Sequence, residues 1–167
     1  MSELKKTKVV VKNSVYNVSD ATATSFDRVR VEDDQGQMRY FKNLIVPSYV
    51  KSKGAFIDGL QRVWYVREIK KGVSVIVAYE TPTGNLEYDF DEIKVIARSI
   101  VMMGLKFAVL AVPAGIIVGV ATYGFGLLLM PWIAYSAYRH LFKVPATLSQ
   151  KTLIDDFSRL GVAVQPH

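Results

Sequence analysis

The sequence predicts an α+β membrane protein: a strand-rich small β-barrel-like domain (SH3-like or OB-like) over residues 1–91, a transmembrane helical hairpin over 95–142, and a short amphipathic helix over 147–161. Three observations predict it. Residues 26–90 alternate apolar and polar side chains in short runs separated by turn residues. Phe107 to Tyr138 contains no charged residue. Beyond Pro145, apolar residues recur at helical spacing.

The strand pattern is taken first. Lys8 to Lys12 is a short strand candidate, and the Ser, Thr, Asn and Asp run through Thr24 has the composition of a loop. Val29 and Val31 alternate with Arg28, Arg30 and Glu32, and Asp33-Asp34-Gln35-Gly36 supplies a turn. Met38 and Tyr40 then alternate with Arg39, so a β-hairpin with one buried face is expected. Arg62 to Ile69 and Val73 to Tyr79 form two further strands around a Lys70-Lys71-Gly72 turn, and Thr81-Pro82-Thr83-Gly84 leads into Leu86, Tyr88 and Phe90. Strands this short cannot cover a flat sheet, so a curled sheet or small barrel follows.

The uncharged block is too long for one straight span. Its 32 residues would make a helix of about 48 Å against a hydrocarbon thickness of roughly 30 Å. Two spans, about 96–121 and 124–142, joined by a turn at Thr122-Tyr123-Gly124-Phe125-Gly126, account for the length better. Charge agrees with this: residues 1–94 carry a net +2 and the remainder +4, with Arg98, Lys106, Arg139 and Lys143 in or beside the block. A hairpin puts these cations on one face, so the N-terminal domain and the C-terminus are expected in the cytoplasm, under a bacterial inner membrane. No apolar run of signal-peptide length occurs in the first 25 residues. Gly115 and Gly119 form a G-x-x-x-G pair suited to close helix packing. Lys106 is either an intramembrane charge or the residue that marks the interface.

Chemistry is sparse. Cysteine is absent, which excludes disulfides and thiolate catalysis. Phosphate-loop, dinucleotide, nucleophile-elbow and His-Glu-x-x-His motifs are missing. His140 and His167 lack partners for a triad or metal site, and Asp33-Asp34 and the Glu87, Asp89, Asp91, Glu92 run are expected to be solvated faces. No catalytic residue, cofactor or metal is therefore expected. Trp64, Tyr65, Arg62, Arg67, Lys70 and Lys71 make a possible binding surface, although Trp64 and Tyr65 should point to opposite faces of a strand. Expected partners are the lipid bilayer and a protein or a second copy, with nucleic acid disfavoured by the nearly balanced charge of the N-terminal domain.

The function expected on these grounds is a non-enzymatic, membrane-anchored module for protein interaction or self-assembly. An oligomeric channel, transport accessory or membrane-acting defence or immunity factor is the alternative, and a membrane-tethered nucleic-acid-binding module a third.

Overall fold

A computed structural model describes residues 3–121 and 130–164. Six strands run β1 (Lys5–Ser19), β2 (Ala23–Asp33), β3 (Met38–Pro47), β4 (Gln61–Lys70), β5 (Val73–Glu80) and β6 (Leu86–Tyr88). The order β3-β2-β1-β4-β5-β6 is closed by an additional parallel pairing of β3 with β5, so five strands form a barrel and β6 lies on its edge. A short helix, α1 (Ser48–Ser52), bridges β3 and β4. Five strands closed in a non-sequential order correspond to the OB-like of the two expected barrels.

The strand pairs follow from local chemistry. β1 extends well past Lys12, through the polar run that composition alone assigns to a loop, because Asn13 to Ser19 pair with β2 across three irregularities of register. Asp20 closes that hairpin: its Oδ1 accepts from the backbone N–H groups of Thr22 and Ala23, each at 2.8 Å, and these bonds hold its carboxyl below the ordinary range. Asp33 does the same for the next turn and is buried. Its Oδ1 accepts from Gln37 N–H at 2.9 Å and Gln35 N–H at 3.0 Å, while its Oδ2 meets Arg39 Nε at 2.9 Å.

Those backbone bonds, Gln37 foremost, and the Arg39 guanidinium lower the Asp33 pKa. A carboxyl depressed on folding contributes stability that is present above its unfolded value and lost as pH falls through the folded one. Asp33→Ala should therefore flatten the acid limb of the thermal-stability profile below about pH 4. Melting temperatures of both proteins measured from neutral to acid check this, and parallel acid limbs would refute it.

Two cores flank the wall made by β4 and β5. The barrel interior holds Val9, Phe26, Val29, Leu44, Trp64, Ile76 and Tyr79. The outer face of the wall packs Tyr65, Val75 and Val77 against Ile93, Ile96, Leu148, Leu153 and Phe157. Burial on both faces explains the near-continuous apolar runs of these two strands.

Helix α2 (Phe90–Ala121) begins with Asp89, whose Oδ1 accepts from the N–H groups of Asp91 and Glu92. After it come α3 (Met130–Tyr138), a π-helical turn (Arg139–Lys143), α4 (Val144–Thr147) and α5 (Gln150–Arg159). Ser149 caps α5, its hydroxyl oxygen accepting from Thr152 N–H at 3.4 Å.

These helices overturn the transmembrane hairpin expected over 95–142. Among the described residues no helix is long and apolar enough to cross a membrane. Ile93, Ile96 and Ala97 open no span; at i, i+3, i+4 spacing they form the face of α2 that covers the barrel. Past Lys106, α2 has about 15 uncharged residues, roughly 22 Å of helix, where about 20 residues are needed. The second helix, α3, has 9 residues and gives way to the π-helical turn carrying Arg139 and Lys143. The expected turn at 122–126 lies outside the described residues. Assignment to an inner membrane with both ends cytoplasmic falls with the hairpin, because it rested on two spans and their cationic flanks.

Candidate interaction surfaces

The six residues of the expected binding surface are dispersed by the barrel. Trp64 is fully buried in the interior, with its Nε1–H donating to Ala55 O at 2.8 Å. Tyr65 is fully buried on the opposite face of β4, its ring 5.2 Å from that of Phe157. The Tyr65 hydroxyl donates to Glu80, which also binds Lys6. Arg62 donates from Nε to Gly54 O at 3.0 Å. Arg67 is buried, with its Nη1 2.6 Å from Asp156 Oδ2. Lys70 and Lys71 are exposed at the β4–β5 turn.

Lys70 and Lys71 instead meet two cations from the neighbouring hairpin. In the β2–β3 ladder Asp27 pairs with Asn43 and Val29 with Phe41, and the residues between, Arg28 and Lys42, stand outside the register. Arg28 has φ 52° and is the one non-glycine residue with positive φ among those described. Opposite it, the turn is held down by Asn43 N–H donating to Gly72 O at 3.0 Å. A Cβ on Gly72 would lie 3.3 Å from Lys42 Cδ, and Gly72 itself has φ 78°. The result is a cleft of about 820 Å³ between β2–β3, the β4–β5 turn and α2, rimmed by Arg28, Lys42, Lys70 and Lys71 and floored by Ile45, Ile69, Ile100 and Met103. None of the four cations is in an ion pair among the described residues. The one carboxylate of the lining, Asp27, accepts from Asn43 Nδ2 at 2.8 Å.

A second surface lies along α2. Met102, Met103, Val109, Leu110, Ile116, Ile117 and Val120 are all exposed, from 57% at Ile116 to 77% at Val120. Lys106, exposed rather than buried, lies among them. Positions 102, 106, 109, 113, 116 and 120 follow an alternating four-three spacing, which aligns them as one seam of a helix. Gly115 and Gly119 fall within α2, but their surroundings lie outside the described residues.

Compared with protein-family models, curated proteins and solved structures, the chain matches none. Its surfaces must therefore be judged on their own chemistry. Among the described residues no group of three or more His, Asp or Glu side chains could hold a metal ion. Two members of the acidic run beside α2, Asp89 and Glu92, hold backbone N–H groups. Glu92 Oε2 accepts Tyr49 N–H at 2.9 Å, and burial is the main cause that raises its carboxyl above the ordinary range.

Sequence reasoning overlooked Arg28 and Lys42. A signal was present: two residues, instead of one, separate inward Phe26 from Val29 and inward Phe41 from Leu44. A paired lapse in period-two alternation marks a local irregularity of both strands at the same level, where side chains are redirected outward.

Proposed function

We propose that the chain is a non-enzymatic self-assembly module, in which the barrel is the body and the exposed seam of α2 is the joint with a second copy. The seam carries this reading: four large apolar side chains, Met102, Val109, Ile116 and Val120, lie exposed on one line of the helix, with Met103, Leu110 and Ile117 exposed on the row beside it, and contiguous patches of that kind mark association sites. At about 100 Å² each they offer on the order of 700 Å², close to the roughly 800 Å² per partner of a standard interface. The four-three spacing suits a helix of the same pitch as partner. Lys106 sets the orientation. In a parallel pair two ammonium groups would face each other, whereas an antiparallel pair separates them. The nucleic-acid alternative finds less support, because Trp64 and Tyr65 are core residues and offer no stacking platform.

Sedimentation velocity of the full chain at micromolar concentration tests the proposal. The wild type should sediment as a dimer, Val109→Glu with Ile116→Glu as a monomer, and Lys106→Leu should dissociate at lower concentration than the wild type. A wild-type monomer, or a double variant that assembles unchanged, would remove the proposal.

A further inference from the structure

The cleft between the barrel and α2 combines features that no fold requirement explains. Four exposed cations, Arg28, Lys42, Lys70 and Lys71, surround one opening, and none of them is in an ion pair among the described residues. Arg28 adopts a left-handed backbone conformation that glycine would take without strain, at a level where its side chain joins the rim. Strain held in a charged residue at the mouth of a cleft points to use of that residue. Beneath the rim the lining is aliphatic, from Ile45 of β3, Ile69 of β4 and Ile100 in the third turn of α2, with Met103 exposed at its edge. The volume of about 820 Å³ lies within the range of about 300–1,000 Å³ typical of small-molecule sites.

We propose that this cleft binds a single amphiphile with an anionic head, the phosphate or carboxylate lying among Arg28, Lys42, Lys70 and Lys71 and the hydrocarbon chain on Ile45, Ile69, Ile100 and Met103. Each half of the site selects for a different half of the ligand. The cations gain most from an anion partly withdrawn from water, and the aliphatic floor gains by area. An inorganic anion would leave the floor wet, and a neutral or cationic chain would leave the rim unpaired or repelled. Asp27, hydrogen-bonded by Asn43 Nδ2, keeps its charge, so the lining sets four cations against one carboxylate and the opening stays net positive.

Isothermal titration of the full chain with dodecyl phosphate below its micelle concentration tests this, with inorganic phosphate and dodecyltrimethylammonium as comparisons. One dodecyl phosphate per chain should bind, at least about tenfold tighter than either comparison. Arg28→Gly is the informative variant: it should weaken dodecyl phosphate about tenfold while the melting temperature holds or rises, since glycine relieves the strain. Lys42→Ala with Lys71→Ala should weaken it further. Equal affinity for the cationic and anionic amphiphiles would overturn the proposal, as would unchanged binding by these variants. Vesicles of phosphatidylglycerol and of phosphatidylcholine separate the other source of such a headgroup: recruitment to the anionic vesicles without binding of the monomer would assign the cations to a surface and remove the cleft site.

Discussion

Replacing Asp156 with alanine is expected to destabilise the protein by about 3–5 kcal/mol, because it strands the Arg67 guanidinium in the second core. Arg67 is 2% exposed, its Nη1 lies 2.6 Å from Asp156 Oδ2, and its Nε has no hydrogen-bond partner among the described residues. The charge is thus compensated chiefly from one side, by a residue of α5, 89 positions away in sequence. Alanine removes that partner and leaves the cation desolvated. Arg67→Met with Asp156→Leu should by contrast lie within about 1–2 kcal/mol of the wild type, since a buried pair is often worth no more than the apolar side chains that could fill its place. Urea unfolding of the three proteins checks both statements. Near-equal losses for the single and double variants would mean that packing of α5, by Leu153 and Phe157, outweighs the ion pair.

The barrel and the amphipathic C-terminal helix were legible in the sequence, and the way α2 covers the barrel was not, for one reason. Alternation over Val29–Val31 and around Met38–Tyr40, with turn chemistry at Asp33–Gly36 and Lys70–Gly72, locates a curled sheet because each signal is local. The wall of β4 and β5 is different. Its apolar runs could mean a strand buried on both faces or merely a strong strand, and only the presence of α2 and α5 decides. Ile93, Ile96 and Ala97 carry the same ambiguity. Adjoining the long apolar block, they look like its beginning, yet they share one buried core with Val75, Val77 and Tyr65 on the outer face of the barrel wall. Hydropathy counts apolar residues without knowing what covers them. Arg67 stands among the basic and aromatic residues of the possible binding surface on sequence alone, yet it is buried against Asp156 of α5; an amphipathic pattern says that α5 docks by its apolar face without saying which residue of β4 it meets. The cleft depends on long-range placement as well, since its four cations come from three strands and a turn.

Trp64→Ala should be the second severe substitution, costing about 3–5 kcal/mol, through the cavity it opens in the barrel. Trp64 is fully buried, and its ring continues a stack in which Phe56 lies 5.8 Å from Trp64 and 4.3 Å from Phe26. Phe56 belongs to the connection after α1, so the stack closes that end of the barrel, and removing Trp64 takes away the support on which the closure rests. Trp64→Phe separates volume from hydrogen bonding. It retains most of the ring contacts but leaves Ala55 O without the indole N–H that now reaches it at 2.8 Å. An unsatisfied buried acceptor costs about 1–3 kcal/mol, so Trp64→Phe should fall between the wild type and Trp64→Ala in urea midpoint. If phenylalanine proves as damaging as alanine, the hydrogen bond to Ala55, and through it the path of the connection from α1 to β4, contributes more than the filled volume. If it is harmless, the stack alone holds that end of the barrel closed.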